Sequence, residues 1–340
     1  MLMEEPATFI KNFINDLDTA LGELKLNAKL SRAQKVWLGF CLTGILLMNS
    51  VCWAKFERAS LAGYKVSALS WMFRDAKIYW NIMLQASVVL ILKRYGIREG
   101  VIAIDESDRA RSKRTKRIHN VHKQKHKTSG GYVNGQTVVL LLLVTESVSF
   151  PVGFAFYMPD PVLTEWNKEN KRLKKAGVAK KDRPGEPQRN RLYPTKIQIA
   201  LELLREFKKN HEEVKITAIL ADALYGEAYF MTEASQLFDD VQVISQLREN
   251  QNIEYKGKKR NLKHYFNKIN VGIPAVIRVR GGKVVKVTLS SARLKVSAHG
   301  KKRAELIDDT FQLMPSDKHM VGKNLGRLES TPSLNCRAFG

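Results

Sequence analysis

Two short apolar runs that each end in an aspartate decide the fold: Val101-Ile102-Ala103-Ile104-Asp105 and Lys215-Ile216-Thr217-Ala218-Ile219-Leu220-Ala221-Asp222. Short apolar runs of this kind are typical of buried β-strands. If the two strands are parallel neighbours, the carboxylates at their ends converge at one edge of the sheet. That edge is where open α/β sheets usually bind ligands. The same two runs therefore locate both the sheet and the candidate chemistry.

Further elements extend outward from these runs. The segments Tyr132 to Thr145 and Phe150 to Met158 predict two more strands, which would form an antiparallel meander with the first. Thr195 is placed to cap a helix with one apolar stripe. A helix over 227–238 and a strand over 241–247 follow the second aspartate. This order predicts an α/β layer with a mixed sheet.

The first 95 residues have a different, helical pattern. Apolar residues recur at helical spacing from Phe9 to Leu24, and apolar stretches around Trp37 to Trp53 and Trp71 to Leu92 predict further helices. The uncharged run over 36–54 is long enough to cross a bilayer core of about 30 Å. Polar residues and glycines within it favour a buried helix, so we expect no membrane insertion.

Composition limits the classes of protein and partner. The chain has 340 residues, of which 44% are hydrophobic, and a net charge of +24. That apolar content suffices for two or three domains and excludes a disordered chain, a fibre or a mini-protein. The charge attracts polyanions, so nucleic acid is the first partner to consider. An anionic membrane surface and a basic protein that binds neither remain alternatives.

Cysteine usage and the N-terminus indicate the compartment. The three cysteines have neither paired nor metal-type spacing. The first 20 residues lack the basic start and apolar run of a secretory signal. We therefore expect a cytoplasmic protein.

Asp105 and Asp222 are the candidate catalytic residues and metal ligands. Two unit charges about 4 Å apart repel by about 4 kcal/mol at an effective dielectric constant of 20, and a divalent cation removes that conflict. Oxygen ligands suit Mg²⁺ or Mn²⁺, and a pair of such ions can activate an attacking oxygen and stabilise a leaving one in phosphodiester chemistry. Aspartates at strand ends also serve as caps and turn residues, which is the alternative.

Three segments resemble the bacterial insertion-sequence transposases of the DDE class. They are Val101 to Ser107, Gly130-Gly131-Tyr132-Val133-Asn134-Gly135, and Ile219-Leu220-Ala221-Asp222-Ala223-Leu224-Tyr225-Gly226. The resemblance covers roughly residues 30–300 and implies an RNase H-like core interrupted by a β-rich insertion. It also implies cut-and-paste DNA chemistry, with Asp105 and Asp222 holding Mg²⁺ or Mn²⁺. Double-stranded DNA, as element ends and as target, would be the partner of a homodimer.

The resemblance gives the expected domains. We predict a helical DNA-binding module over 1–95, the first part of the RNase H-like core over 96–250, a β-rich insertion over 251–303 and an atypical tail over 304–340. Within the insertion, Gly281-Gly282 is typical of a two-residue hairpin turn.

The chain departs from the family after Asp222. The family takes a third carboxylate from a late helix with a Tyr-x-x-Arg-x-x-x-Glu pattern, and no later stretch of this sequence has that pattern. Our hypothesis is that a frameshift or premature stop removed the helix, in which case metal affinity should fall and cleavage could be lost. A non-catalytic DNA-binding fragment and a metal-dependent nuclease without strand transfer are therefore the alternative functions.

Nine basic residues and no acidic ones lie between Arg109 and Lys127. We expect this segment to contact DNA phosphates beside Asp105, with a merely solvated loop as the alternative. The candidate DNA-binding residues are Arg109, Arg111, Lys113, Arg114, Lys116, Arg117, Lys123, Lys125 and Lys127.

The sequence also contains other charged groups near these motifs. A second basic cluster over 168–183 falls in what we expect to be a long, mobile connection. His119, His122 and His126 could share one helical face and bind zinc, but the surrounding positive charge disfavours a dication. Strand alternation should point Glu106 away from Asp105, so we expect Glu106 to be structural.

Overall fold

The computed structural model of the chain forms two compact units, Met1–Arg98 and Glu99–Gly340. The residues that the structure describes are 5–61, 63–126, 130–245, 252–269, 272–278, 284–297, 304–315 and 321–324.

The first unit is helical throughout its regular elements, as the sequence predicts. Its helices are α1 (Thr8–Leu24), α2 (Arg32–Met48), α3 (Trp53–Ala59), α4 (Val66–Asp75) and α5 (Trp80–Tyr95). The two longer apolar stretches are each split in two, so the prediction of single helices there was wrong. Asn49 ends α2 in the left-handed conformation with φ 44°, which asparagine tolerates better than most residues.

Apolar side chains of these helices form the core of the first unit. Ile10, Ile14, Leu17 and Leu21 of α1 pack in one buried cluster with Ala86 of α5. Burial of Cys41 on α2 raises the pKa of its thiol to about 12. Among the described helices, none by itself has the length and apolar character needed to cross a bilayer. Helices α2 and α3, which meet at a bend of 89°, satisfy these two criteria only when taken together.

The second unit contains the predicted mixed sheet. Its strands are β1 (Glu99–Ala110), β2 (His122–Lys125), β3 (Tyr132–Val144), β4 (Ser149–Tyr157), β5 (Lys215–Ala221) and β6 (Gln242–Ser245). Strand β3 is antiparallel to β1 on one side and to β2 and β4 on the other. Strand β5 lies between β1 and β6 and is parallel to both. This arrangement is the one expected of an RNase H-like core.

The four described helices in this unit are α6 (Pro161–Lys175), α7 (Lys196–Asn210), α8 (Ala228–Leu237) and α9 (Leu262–Lys268). Two of them, α7 and α8, were predicted, and the other two, α6 and α9, were not. Thr195 caps α7 as predicted, since its hydroxyl accepts the Gln198 N–H while the Gln198 side chain accepts the Thr195 N–H. The segment expected to be a mobile connection instead contains α6.

Asp160 holds α6 in place. One oxygen of this buried carboxylate accepts the N–H groups of Val162 and Leu163 at 2.9 and 3.3 Å, and the other accepts the N–H of Asn190 at 2.9 Å. These bonds, the one from Asn190 most of all, keep the pKa of Asp160 below its usual value. The carboxylate thus joins the start of α6 to the chain that returns toward α7, which is why this segment is ordered.

A second sheet occupies the C-terminal part of the unit. Its strands are β7 (Asn252–Tyr255), β8 (Lys258–Asn261), β9 (Ile273–Arg278), β10 (Val284–Ser297), β11 (Ala304–Pro315) and β12 (Val321–Asn324). Strands β9 and β10 pair as a hairpin, whose predicted turn Gly281-Gly282 lies outside the described residues. Because β10 also pairs with β11, this sheet continues across residue 303, where the sequence placed the start of a tail.

Gly135 on β3 provides a test of the packing beside β1. A methyl group at Gly135 would lie 2.6 Å from the Arg109 carbonyl oxygen and would clash with the Gln124 side chain, whereas one at Gly153 would meet Leu203 at 3.4 Å. We expect Gly135→Ala to lower the free energy of unfolding by about 1–3 kcal/mol, and Gly153→Ala to change it much less. Urea denaturation of both variants measures the difference. Equal stabilities would contradict the packing described here.

Candidate active site

Asp105 and Asp222 lie side by side at one edge of the mixed sheet. In the parallel pairing of β1 with β5, Ala103 is opposite Leu220 and Ile104 is opposite Ala221. The two aspartates are the next residues in this register, on strands whose axes are about 4.8 Å apart. Both are solvent-exposed. The structure thus brings together the two residues that the sequence singles out.

Local main-chain bonds orient each of these carboxylates. Oδ1 of Asp105 accepts the N–H of Glu106 at 2.7 Å, and Oδ1 of Asp222 accepts the N–H of Leu224 at 2.8 Å. The Ser245 hydroxyl donates to the Asp222 carbonyl oxygen at 2.6 Å. Within the described part of the chain, Oδ2 of neither aspartate has a protein hydrogen-bond donor. Each carboxylate therefore keeps one oxygen available to a ligand.

Glu106 occupies the opposite face of β1 and has its own partners. Its carboxylate forms an ion pair with Lys196 and accepts the Tyr225 hydroxyl at 3.3 Å. Lys196 is the first residue of α7, where the helix dipole disfavours a positive charge, and the Glu106 carboxylate compensates for this. The ammonium also lies 5.3 Å from the centre of the Tyr157 ring. Glu106 thus connects β1 to the start of α7 and to the turn that follows β5.

Tyr225 lies where the acidic groups meet. Its side chain is fully buried and packs on the Phe230 ring with centroids 5.2 Å apart. Its main-chain N–H donates to the Asp222 carbonyl oxygen at 3.1 Å, which closes the turn after Asp222. Burial, and then the charges of Glu106, Asp222 and Asp105, raise the pKa of the phenol well above its usual value. The phenol is therefore protonated and donates to Glu106. The sequence places this tyrosine three residues after Asp222 but gives no signal of its partner.

The basic segment after Asp105 is an ordered loop next to the aspartates. Arg109 lies on β1, Lys123 and Lys125 lie on β2, and the five basic residues between Arg111 and Arg117 lie in the connection. Lys127 falls outside the described residues. All eight described side chains are exposed. The loop follows the end of β1 and therefore lies beyond Asp105, at the same edge of the sheet.

Side chains on β3 hold this loop. The Asn134 amide donates to the Thr115 carbonyl oxygen at 2.7 Å, and the Gln136 amide donates to that of His119 at 2.7 Å. The main-chain N–H of Arg111 donates to the Asn134 carbonyl oxygen at 2.8 Å. The loop is thus anchored at several points while its charged ends face solvent.

The histidines do not share a helical face. His122 lies on β2, with one ring nitrogen 3.0 Å from the Asn120 carbonyl oxygen and the other 3.3 Å from the Thr137 hydroxyl. Among the described residues, no group of three His, Cys, Asp or Glu side chains could hold a metal ion. Asp105 and Asp222 form a pair of carboxylates, and such a pair with water suits Mg²⁺, which usually takes one or two protein carboxylates.

Removing the Tyr225 hydroxyl tests the link between the two strand ends. We expect Tyr225→Phe to lower the free energy of unfolding by about 1.5 kcal/mol, because it removes a buried hydrogen bond to a carboxylate. Tyr229→Phe on α8 is the control, since that side chain is 55% exposed. Urea denaturation measures both. If the two variants are equally stable, Tyr225 does not hold Glu106.

Comparison with protein families identifies the class to which the chain belongs. Residues 25–264 match the family of DDE superfamily endonucleases, and a search of curated proteins finds no match. The matched segment contains both aspartates, the basic loop and α6. Because it spans more than half of the chain, the chain belongs to the DDE superfamily of endonucleases and is a transposase-like nuclease of that class.

Proposed function

We propose that the chain is the transposase of an insertion sequence, which cleaves DNA at the element ends and joins the freed 3′-hydroxyl to a target duplex. The observation that carries this proposal is the adjacency of the β1 and β5 ends, which leaves Asp105 and Asp222 as exposed neighbours. Membership of the DDE superfamily supports nuclease or transposase chemistry on DNA. Joining of strands is our extension of that chemistry.

Asp105 and Asp222 would hold the divalent metal ions that members of this superfamily use. Their donor set consists only of carboxylate oxygens, which favours Mg²⁺ or Mn²⁺ over softer metals. When bound, such ions activate the attacking oxygen and stabilise the leaving oxygen at phosphorus. The chain's own contribution is to fix the two carboxylates through the bonds from Glu106 and Leu224, so that little reorganisation is needed.

The basic loop would bind and orient the DNA backbone. Its eight described basic side chains, from Arg109 to Lys125, are exposed, and the loop follows directly from the strand that carries Asp105. Charges of this kind attract DNA at long range and contact its phosphates at short range, and each phosphate contact steepens the salt dependence of binding. Contacts to the backbone position the duplex but do not read its sequence.

Recognition of the element ends is assigned in this proposal to the helical unit. Residues 61–73, most of which lie in α4 (Val66–Asp75), are the stretch that we liken to a helix-turn-helix element. Two copies of the chain, one at each end of the element, would act as a homodimer on DNA.

Two other functions remain as defined alternatives. A non-catalytic DNA-binding fragment is favoured by the missing Tyr-x-x-Arg-x-x-x-Glu pattern after Asp222 and by the lack of a three-ligand metal cluster among the described residues. A metal-dependent nuclease without strand transfer needs only the cleavage step. The three functions differ in whether the chain cuts DNA and whether it joins DNA.

Replacing either aspartate should abolish cleavage and spare binding. We expect the full chain to nick a supercoiled plasmid with Mg²⁺ or Mn²⁺, and Asp105→Asn or Asp222→Asn to reduce the rate more than about 100-fold, because a metal ligand is lost. Asp240→Asn is the matched control, because this exposed aspartate comes just before β6, which is parallel to β5, and so lies at the opposite edge of the sheet from Asp222. A gel shift should show unchanged DNA affinity. Equal nicking by Asp222→Asn and the control would contradict the proposal.

Strand transfer separates a transposase from a simple nuclease. We expect a duplex with a free 3′-hydroxyl, carrying an element end, to be joined to a target plasmid by the wild-type chain and not by Asp222→Asn. Labelled duplex that becomes part of the plasmid on a denaturing gel measures the reaction. Nicking without joining would identify a nuclease, and binding without nicking a non-catalytic fragment.

A further inference from the structure

We propose that α6 and the turn after it form a second surface for duplex DNA, separate from the basic loop. The proposal rests on the proposed function, because it assumes that DNA is held at Asp105 and Asp222. It concerns Lys171, Lys174 and Lys175 on α6, and Lys180 and Lys181 in the turn, which we call the α6 surface.

The strand pairing places α6 at the same edge of the sheet as the two aspartates. Strand β4 runs in the same direction as β1, since both are antiparallel to β3. Thr137 of β3 pairs with Asp108 of β1 on one side and with Tyr157 of β4 on the other. Strand β4 therefore ends level with the segment just past Asp105, and α6 begins directly after it.

The chain also returns to this edge after α6. Lys196 begins α7 and forms its ion pair with Glu106, the residue next to Asp105. Residues 158–195 thus leave the sheet and rejoin it at the aspartate edge. Because this excursion, residues 158–195, is anchored at the aspartate edge at both ends, a ligand held at that edge can reach it.

The excursion is ordered by bonds between its own residues. In addition to the Asp160 bonds, the Arg183 guanidinium donates to the Asn170 side chain at 3.1 Å and the Trp166 indole donates to the Pro184 carbonyl oxygen at 2.9 Å. A surface that is ordered before binding loses less entropy when a ligand arrives.

The positive charge of the excursion exceeds what its own acids neutralise. Residues 158–195 contain ten basic and five acidic residues. Glu165 and Glu169 pair with Lys168 and Arg172 at 3.3 and 2.6 Å, and Asp160 is used in capping. The five lysines of the α6 surface are exposed and form no ion pair with any described carboxylate. Their charge is therefore available to an external anion.

The shape of this surface fits a DNA backbone. Lys171, Lys174 and Lys175 are spaced i, i+3 and i+4, so they lie on one side of α6. Helix α6 has 15 residues and is about 22 Å long. DNA is straight on this scale, with a persistence length of about 150 base pairs. A duplex that is held at the aspartates and runs along this edge would therefore meet regularly spaced lysines.

Paired neutral variants of the full chain test the assignment. The test variant is Lys171→Gln/Lys175→Gln, and the matched control is Lys209→Gln/Lys215→Gln. The control lysines are exposed and lie at the end of α7 and the start of β5, at the opposite edge of the sheet. Affinity for a labelled 30-base-pair duplex is measured by fluorescence anisotropy between about 50 and 200 mM salt without divalent metal. Circular dichroism melting checks that both variants are folded.

We expect the test variant to lose affinity about tenfold or more at 0.1 M salt, and the slope of log K against log salt to become shallower by about 1.8, since each lost phosphate contact contributes about 0.9. The control should retain the wild-type slope. Equal slopes for the two variants would overturn the inference. Reduced binding of the test variant to phosphatidylserine vesicles, with DNA binding unchanged, would assign the surface to lipid and overturn it as well.

Plasmid nicking separates this inference from the proposed function. Nicking by the wild type together with equal DNA binding by the two variants would refute only the α6 surface. A selective loss of DNA binding by the test variant, with no nicking by the wild type, would support the α6 surface and refute cleavage. A wild-type chain that does not bind duplex DNA would refute both.

Discussion

The parallel pairing of β1 with β5 is the constraint on which the rest of the structure depends. Because Ile104 is opposite Ala221, the residues that follow are also neighbours, and both are aspartates. A shift of one residue in this register would turn every side chain of one strand to the other face of the sheet. Apolar contacts on both faces hold this register, since the buried side chains of Ile102, Ile104 and Ile219 lie on one face of the sheet and buried Ala103 lies on the other.

This pairing concentrates negative charge at the sheet edge, and the surrounding groups compensate for it. Glu106 is balanced by Lys196 and by the Tyr225 hydroxyl, whereas Asp105 and Asp222 each use one oxygen for a main-chain N–H. Adjacent carboxylates favour binding of a cation, because it offsets the repulsion between their charges. In the proposed function, the two exposed aspartates would bind metal ions and the basic loop beyond them would bind phosphates.

The sequence predicted the elements whose signals are local. Strands β1 and β5 are short apolar runs, and α7 has its capping box and apolar stripe within a few residues. Helix α6 was missed because charged residues dominate it and its anchor, the bond from Asn190 to Asp160, joins residues 30 apart. The Tyr225–Glu106 bond joins residues 119 apart. Such contacts depend on the folded sheet, so no local pattern indicates them.

The central claim is that Asp105 and Asp222 bind the same metal ions. Locating bound Mn²⁺ by anomalous X-ray diffraction tests this claim most directly. We predict an anomalous peak within bonding distance of oxygens from both aspartates in the wild-type chain, and its loss in crystals of Asp222→Asn. A peak at other side chains, or one that persists unchanged in the variant, would contradict the account.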